Sequence, residues 1–109
     1  MRTLKFIVDG PTIKPDPSCS FNGLFPGAED QIRAEFYFSK EWKNMVKVAA
    51  FWSVMGNEYD PQEVKEDNSC MIPVEALKRT SFRIQVLGKR DGTRMQTNKL
   101  TVYQKGGRV

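Results

Sequence analysis

The sequence predicts an all-β domain: an antiparallel β-sandwich of about seven strands, with a small barrel as the alternative. Three observations lead there. Apolar residues alternate at period two in several short runs, most cleanly over residues 31–39 and 81–88. Turn signals such as Asp9-Gly10-Pro11, Asp60-Pro61 and Asp91-Gly92 separate those runs. The best helical stretch, Val74-Glu75-Ala76-Leu77-Lys78-Arg79, has room for one or two turns and serves only as a connector.

Taken in order, Leu4, Phe6 and Val8 share one face of a half-buried first strand, ended by Asp9-Gly10-Pro11. Residues 14–18 are extended or looping, because each residue before a proline is pushed out of the helical region. Phe21, Leu24 and Phe25 are expected to cap one end of the core. The second strand, residues 31–39, sets Ile32, Ala34, Phe36 and Phe38 against a wet face carrying Arg33, Glu35 and Tyr37. A connection with room for one helical turn follows, and its Trp42 is expected to fold back as a lid on the core. Residues 46–55 are apolar on both faces, with Val46, Val48, Ala50, Trp52 and Val54 on one and Ala49, Phe51 and Met55 on the other. That pattern predicts a central strand covered on both sides, with Phe51 and Trp52 in the core. Residues 62–66 suit a short charged edge strand, and residues 69–72 a strand stopped by Pro73. Phe82, Ile84 and Val86 point inward from the next strand, and Gly88 is expected where that strand bends. The Asp91-Gly92 hairpin then returns the chain through residues 95–103. Residues 1–105 form one domain, and residues 106–109 are expected to fray.

At 109 residues, 39% apolar and 28% charged, the chain has the composition of a soluble globular domain. No run approaches the length needed to cross a bilayer, and the N-terminus is too short and polar for a secretory signal, so no membrane role is expected. Cys19 and Cys70 are expected as free, buried thiols, with a bridge between them as the alternative. The net charge of +4 is unevenly spread. Residues 1–75 hold eight Lys/Arg against twelve Asp/Glu, whereas residues 76–109 hold nine Lys/Arg against one Asp. The basic C-terminal third suits solvated strand faces, an acidic partner or nucleic acid.

The chain has no histidine, which removes the usual general base and the commonest metal ligand. Two distant cysteines make no zinc pattern, and no glycine-rich phosphate loop is present. Adjacent carboxylates such as Glu29/Asp30 and Glu66/Asp67 read as solvated charge rather than a glycosidase pair. The expectation is therefore a non-enzymatic protein without cofactor or metal. Nucleic-acid binding through Lys89, Arg90, Arg94 and Lys99, with Tyr103 stacking a base, is the weaker reading, because aromatic residues are thin among those cations.

Four ordered pieces carry a family resemblance: Phe38-Ser39-Lys40-Glu41-Trp42-Lys43; Lys47-Val48-Ala49-Ala50-Phe51; Cys70-Met71-Ile72-Pro73-Val74-Glu75-Ala76-Leu77; and Phe82-Arg83-Ile84-Gln85-Val86-Leu87-Gly88 followed by Thr97-Asn98-Lys99. Across about residues 36–104, they resemble the N-terminal immunoglobulin-like domain of phage baseplate upper proteins and related tail-appendage or fibre proteins of Gram-positive hosts. The resemblance implies an immunoglobulin-like sandwich that attaches virion modules through protein–protein interfaces and assembles as a homotrimer or hexamer. It places the protein in the host cytoplasm during assembly and then in the virion, with other phage structural proteins or a host protein as partners. In that family the domain usually precedes a long appendage, whereas this chain ends just after Gly106-Gly107. An adaptor, a capsid decoration protein or an inhibitor of a host defence protein are the roles open to such a copy. The partner-binding surface is expected at Tyr37, Lys89, Arg90, Arg94, Lys99 and Tyr103, because exposed aromatics and cations favour interfaces.

Overall fold

The structure is a computed structural model that describes residues 1–27 and 31–104. The Glu29/Asp30 pair and the C-terminal tail from residue 105 lie outside the described residues.

Among the described residues, nine strands form two sheets packed face to face. The first sheet contains β1 (Arg2–Asp9), β2 (Thr12–Pro15), β3 (Ile32–Phe38) and β6 (Ser69–Met71), in the order β2-β1-β3-β6. The second contains β4 (Val46–Trp52), β5 (Gln62–Glu63), β7 (Ser81–Arg90) and β8 (Thr93–Gln96), in the order β5-β4-β7-β8, with β9 (Leu100–Tyr103) also paired to β7. The two strands beyond about seven have clear origins. Residues 12–15 pair with β1 despite Pro15, which sits at the last position of an edge strand, where a missing donor costs little. The expected return strand is split into β8 and β9 at Thr97-Asn98-Lys99.

Most strand pairs are antiparallel, but β1 and β3 are parallel, with Arg2 opposite Ile32 and Val8 opposite Phe38. This departs from the all-antiparallel expectation. A parallel neighbour needs a long crossover, and the chain between Asp9 and Ile32 provides one. The sequence gives no local signal for it, because the period-two pattern is the same in both senses.

The core draws on both sheets. Leu4, Phe6, Val8, Ala34 and Phe36 meet Ala49, Phe51, Phe82, Ile84 and Val86, all buried. Phe6 stacks on Phe36 at 5.7 Å between ring centroids, and Phe21 meets Phe6 edge-on at 5.5 Å. Leu24 is buried as expected, but Phe25 is exposed. Single helical turns occur in both stretches where the sequence leaves room for one. A 3-10 turn, Lys40–Trp42, drives Trp42 completely into the core, and α1 (Val74–Leu77) buries Ala76 and Leu77.

Three residues tie the ends together. The Trp42 indole N–H donates to the Gly10 carbonyl at 2.9 Å, and the ring lies against Gly88. Gly88 is therefore required by close approach of an aromatic ring, not by a strand bend. The amide of buried Gln104 donates to the carbonyls of Leu77 at 3.0 Å and Arg79 at 2.8 Å, closing the C-terminal end of α1. Asn98 accepts the Ile13 N–H at 2.8 Å, linking the β8–β9 break to β2 in the other sheet. Both cysteines are free. Cys70 is buried, and burial pushes its thiol up to about 12, whereas Cys19 is only half-buried.

Candidate interaction surface

Pairing register decides which side chains share the outer face of the second sheet, because directly opposed residues point the same way. Val46 lies opposite Lys89, Val48 opposite Leu87, Ala50 opposite Gln85 and Trp52 opposite Arg83. Further out, Gln96 is opposite Leu87, Arg94 opposite Lys89, and Tyr103 opposite Ser81. Since Ala49 and Phe51 are the core-facing residues of β4, the face carrying Val46, Val48, Ala50 and Trp52 points away from the core.

This corrects the expectation that β4 is covered on both sides. The strand is central within its sheet, but among the described residues no second layer covers its outer face. Val46 is 67% exposed, Val48 is half-buried, and Met55 beyond the strand is 85% exposed. Trp52 is likewise not a core residue. It lies half-buried on the outer face, where the Lys99 ammonium sits 3.8 Å from its ring centroid. Ala50 and Gln85 are buried beside it, and the Gln85 amide donates to the Thr97 carbonyl at 2.8 Å. The middle of the face is thus closed by the chain's own side chains.

Its other end is open. Val46, Val48 and Leu87 floor a shallow trough of about 970 Å³, rimmed by Asn44, Lys89, Arg90, Arg94, Met95 and Gln96, with Asp91 as the only acid. The rim is built by a tight hairpin. Asp91 and Gly92 both adopt positive φ, 46° and 83°, the two-residue geometry whose twist matches the flanking strands. That turn holds Lys89 and Arg94 side by side. Arg90 falls one residue out of phase and anchors the trough end, its guanidinium donating to the Lys43 carbonyl at 2.6 Å.

Of the six expected partner-binding residues, Lys89, Arg90 and Arg94 meet around this trough. Lys99 and Tyr103 lie on the same face but farther along, Lys99 over Trp52 and Tyr103 59% exposed on β9. Tyr37 is separate: it projects from β3 on the outer face of the other sheet, 70% exposed, beside Ile7 and Asp16. Sequence reasoning missed the apolar floor. Val46 and Val48 looked like core because a two-sided apolar strand normally has two neighbours.

Among the described residues, no group of three His, Cys, Asp or Glu is placed to hold a metal ion, and no helix is long and apolar enough to cross a membrane. Neither a protein-family model nor a curated protein matches this chain.

Proposed function

We propose that this chain is a non-enzymatic structural or adaptor protein of a bacteriophage virion, serving tail, baseplate or fibre attachment through protein–protein interfaces. One observation carries the interface part: a layer-free apolar trough with a cationic rim, on a sheet face that a solitary sandwich would be expected to make polar. The phage assignment and the immunoglobulin-like topology rest on the ordered motifs between Phe36 and Gln104. Their residues have definable jobs here: Trp42 fills the core end, Leu77 is buried under α1, Gly88 receives the Trp42 ring, and Thr97-Asn98-Lys99 breaks the return strand, ties it to β2 and covers Trp52. In this reading the chain works as a homo-oligomer, trimer or hexamer, alongside other phage structural proteins.

Nucleic acid is a poorer occupant of the face. The broadest aromatic platform, Trp52, already has Lys99 on its ring, and the trough floor offers valine and leucine rather than stacking surfaces. Mass spectrometry of purified virions tests the assignment. Stoichiometric presence in particles is expected. Absence from particles together with a stable complex with a host protein would move the assignment to a host-directed effector.

A further inference from the structure

The trough has a complement on the same chain. Residues 54–66 carry two exposed apolar side chains, Val54 at 49% and Met55 at 85%, followed by Glu58, Asp60, Glu63 and Glu66, with Lys65 as the only cation. The turn presenting Met55 is preformed: Gly56 N–H donates to the Ser53 carbonyl at 3.0 Å, and Asn57 N–H to the Ser53 hydroxyl at 3.1 Å. Apolar anchors followed by carboxylates match an apolar floor with a cationic rim, in chemistry and in order.

The Val54–Met55 turn and the trough cannot meet within one copy, whereas Glu63 already lies opposite Val48 at the trough's own edge. The trough lies at the Val46 end of β4 and the turn follows its Trp52 end, about 20 Å away at 3.3 Å per residue. The acidic strand β5 and the basic strand β8 also occupy opposite edges of the sheet. Among the described residues, neither charge set forms an ion pair within the chain: the ion pairs are Lys5–Glu35 and Arg33–Glu35.

We infer that residues 54–60 of one copy seat in the trough of a second copy, head to tail. Val54 and Met55 enter the floor at Val46, Val48 and Leu87, while Glu58 and Asp60 approach Lys89 and Arg94. The contact uses two different patches, so it is heterologous: it closes into a ring where the rotation permits and otherwise extends as a filament. This inference rests on the homo-oligomeric part of the reading above and supplies its interface.

The test is a mixing experiment on the intact chain, read by light scattering at low ionic strength. Wild type is expected to be heavier than a monomer and to dissociate as salt is raised, since the rim charges are exposed. M55E disables the turn and keeps the trough; K89E/R94E disables the trough and keeps the turn. All three positions are exposed, so circular dichroism should match wild type. Each variant alone is expected to be monomeric, and an equimolar mixture to form a dimer and nothing larger, because only one good interface remains. A wild type that is oligomeric but unaffected by either variant would overturn this interface while leaving self-association intact. A wild type monomeric at every concentration would overturn the inference, and the virion assay would still decide the phage assignment. Loss of a single-stranded oligonucleotide's binding in K89E/R94E, with no self-association in wild type, would hand the trough to nucleic acid.

Discussion

Substituting Gly88 by alanine probes the closest packing in the core. A Cβ at this position would lie 2.7 Å from Trp42 Cζ3, 2.8 Å from Met45 Sδ and 3.0 Å from Trp42 Cε3. Ordinary carbon contacts are about 3.5–4.0 Å, so roughly 1 Å of movement is needed. Met45 can give way, because a thioether chain is flexible. Trp42 cannot move freely: its indole N–H is bonded to the Gly10 carbonyl at 2.9 Å, and Phe38 lies against it with 5.6 Å between centroids. Overpacking of this kind costs about 1–3 kcal/mol. For a domain near this size each kcal/mol lowers the melting temperature by about 4–8 °C. Urea unfolding followed by far-UV circular dichroism measures it, with a double-mutant cycle against W42F to locate the strain. The alanine should cost less in the W42F background, because the smaller ring vacates space beside Gly88. A stability loss for G88A below about 0.5 kcal/mol, the range of inconsequential surface changes, would refute the reasoning.

Q104A should destabilise by about 1–3 kcal/mol in the same assay, since it strips a donor from buried carbonyls at the end of α1. Q104E should do so more severely, because a carboxylate would face those carbonyls as an acceptor; equal effects would contradict this geometry. With Ellman's reagent at neutral pH, one thiol per chain, Cys19, should react in the folded state. Cys70, buried and held up to about 12, should react only when the chain unfolds, and equal rates would show that its burial is transient. The Ser69 hydroxyl and N–H donate to Asp67 at 2.6 and 3.2 Å and lower its carboxyl below the ordinary 3.8. Its contribution to stability is therefore complete above that pH and is lost as pH falls through the lower folded value. An NMR titration of Asp67 should show the depressed midpoint, and S69A should raise it.

Much of the architecture was legible because burial on one face writes a period-two pattern. The inward rows of β1, β3 and β7 follow from it, and the Asp91-Gly92 hairpin follows from its turn residues. Trp42 was readable as a core lid because a large ring beside Lys and Glu on a short connection has little else to cover. Relations between distant segments were not legible. Nothing local to residues 2–8 distinguishes a parallel partner from an antiparallel one, and nothing in Val46 or Val48 distinguishes a buried face from one left open. The cationic rim was readable from Lys89, Arg90 and Arg94, but its apolar floor needed the register of β4 on β7. Tyr37 was grouped with those cations on exposure alone, and exposure carries no information about which sheet a residue belongs to.

The parallel pairing of β1 with β3 has a consequence for how the chain acquires its shape. Each residue of β1 from Arg2 to Val8 finds its β3 neighbour thirty positions later, from Arg2–Ile32 to Val8–Phe38. Until then β1 has only the four-residue β2 to zip against, although it will occupy the interior of its sheet. The other sheet depends equally on distant partners, since Val46 must wait for Lys89. Short-range closure comes from the β1–β2 and β7–β8 hairpins and the tight turn that bridges Trp52 to Glu58 after β4, and the β7–β8 hairpin has the better turn. Loop-closure entropy must then be overcome before most native contacts reward it, which places refolding in the slow, millisecond-to-second regime of β-sandwiches. The nascent chain meanwhile carries Leu4, Phe6 and Val8 unprotected, so the interval before residue 38 appears is when this protein is most exposed to misassociation.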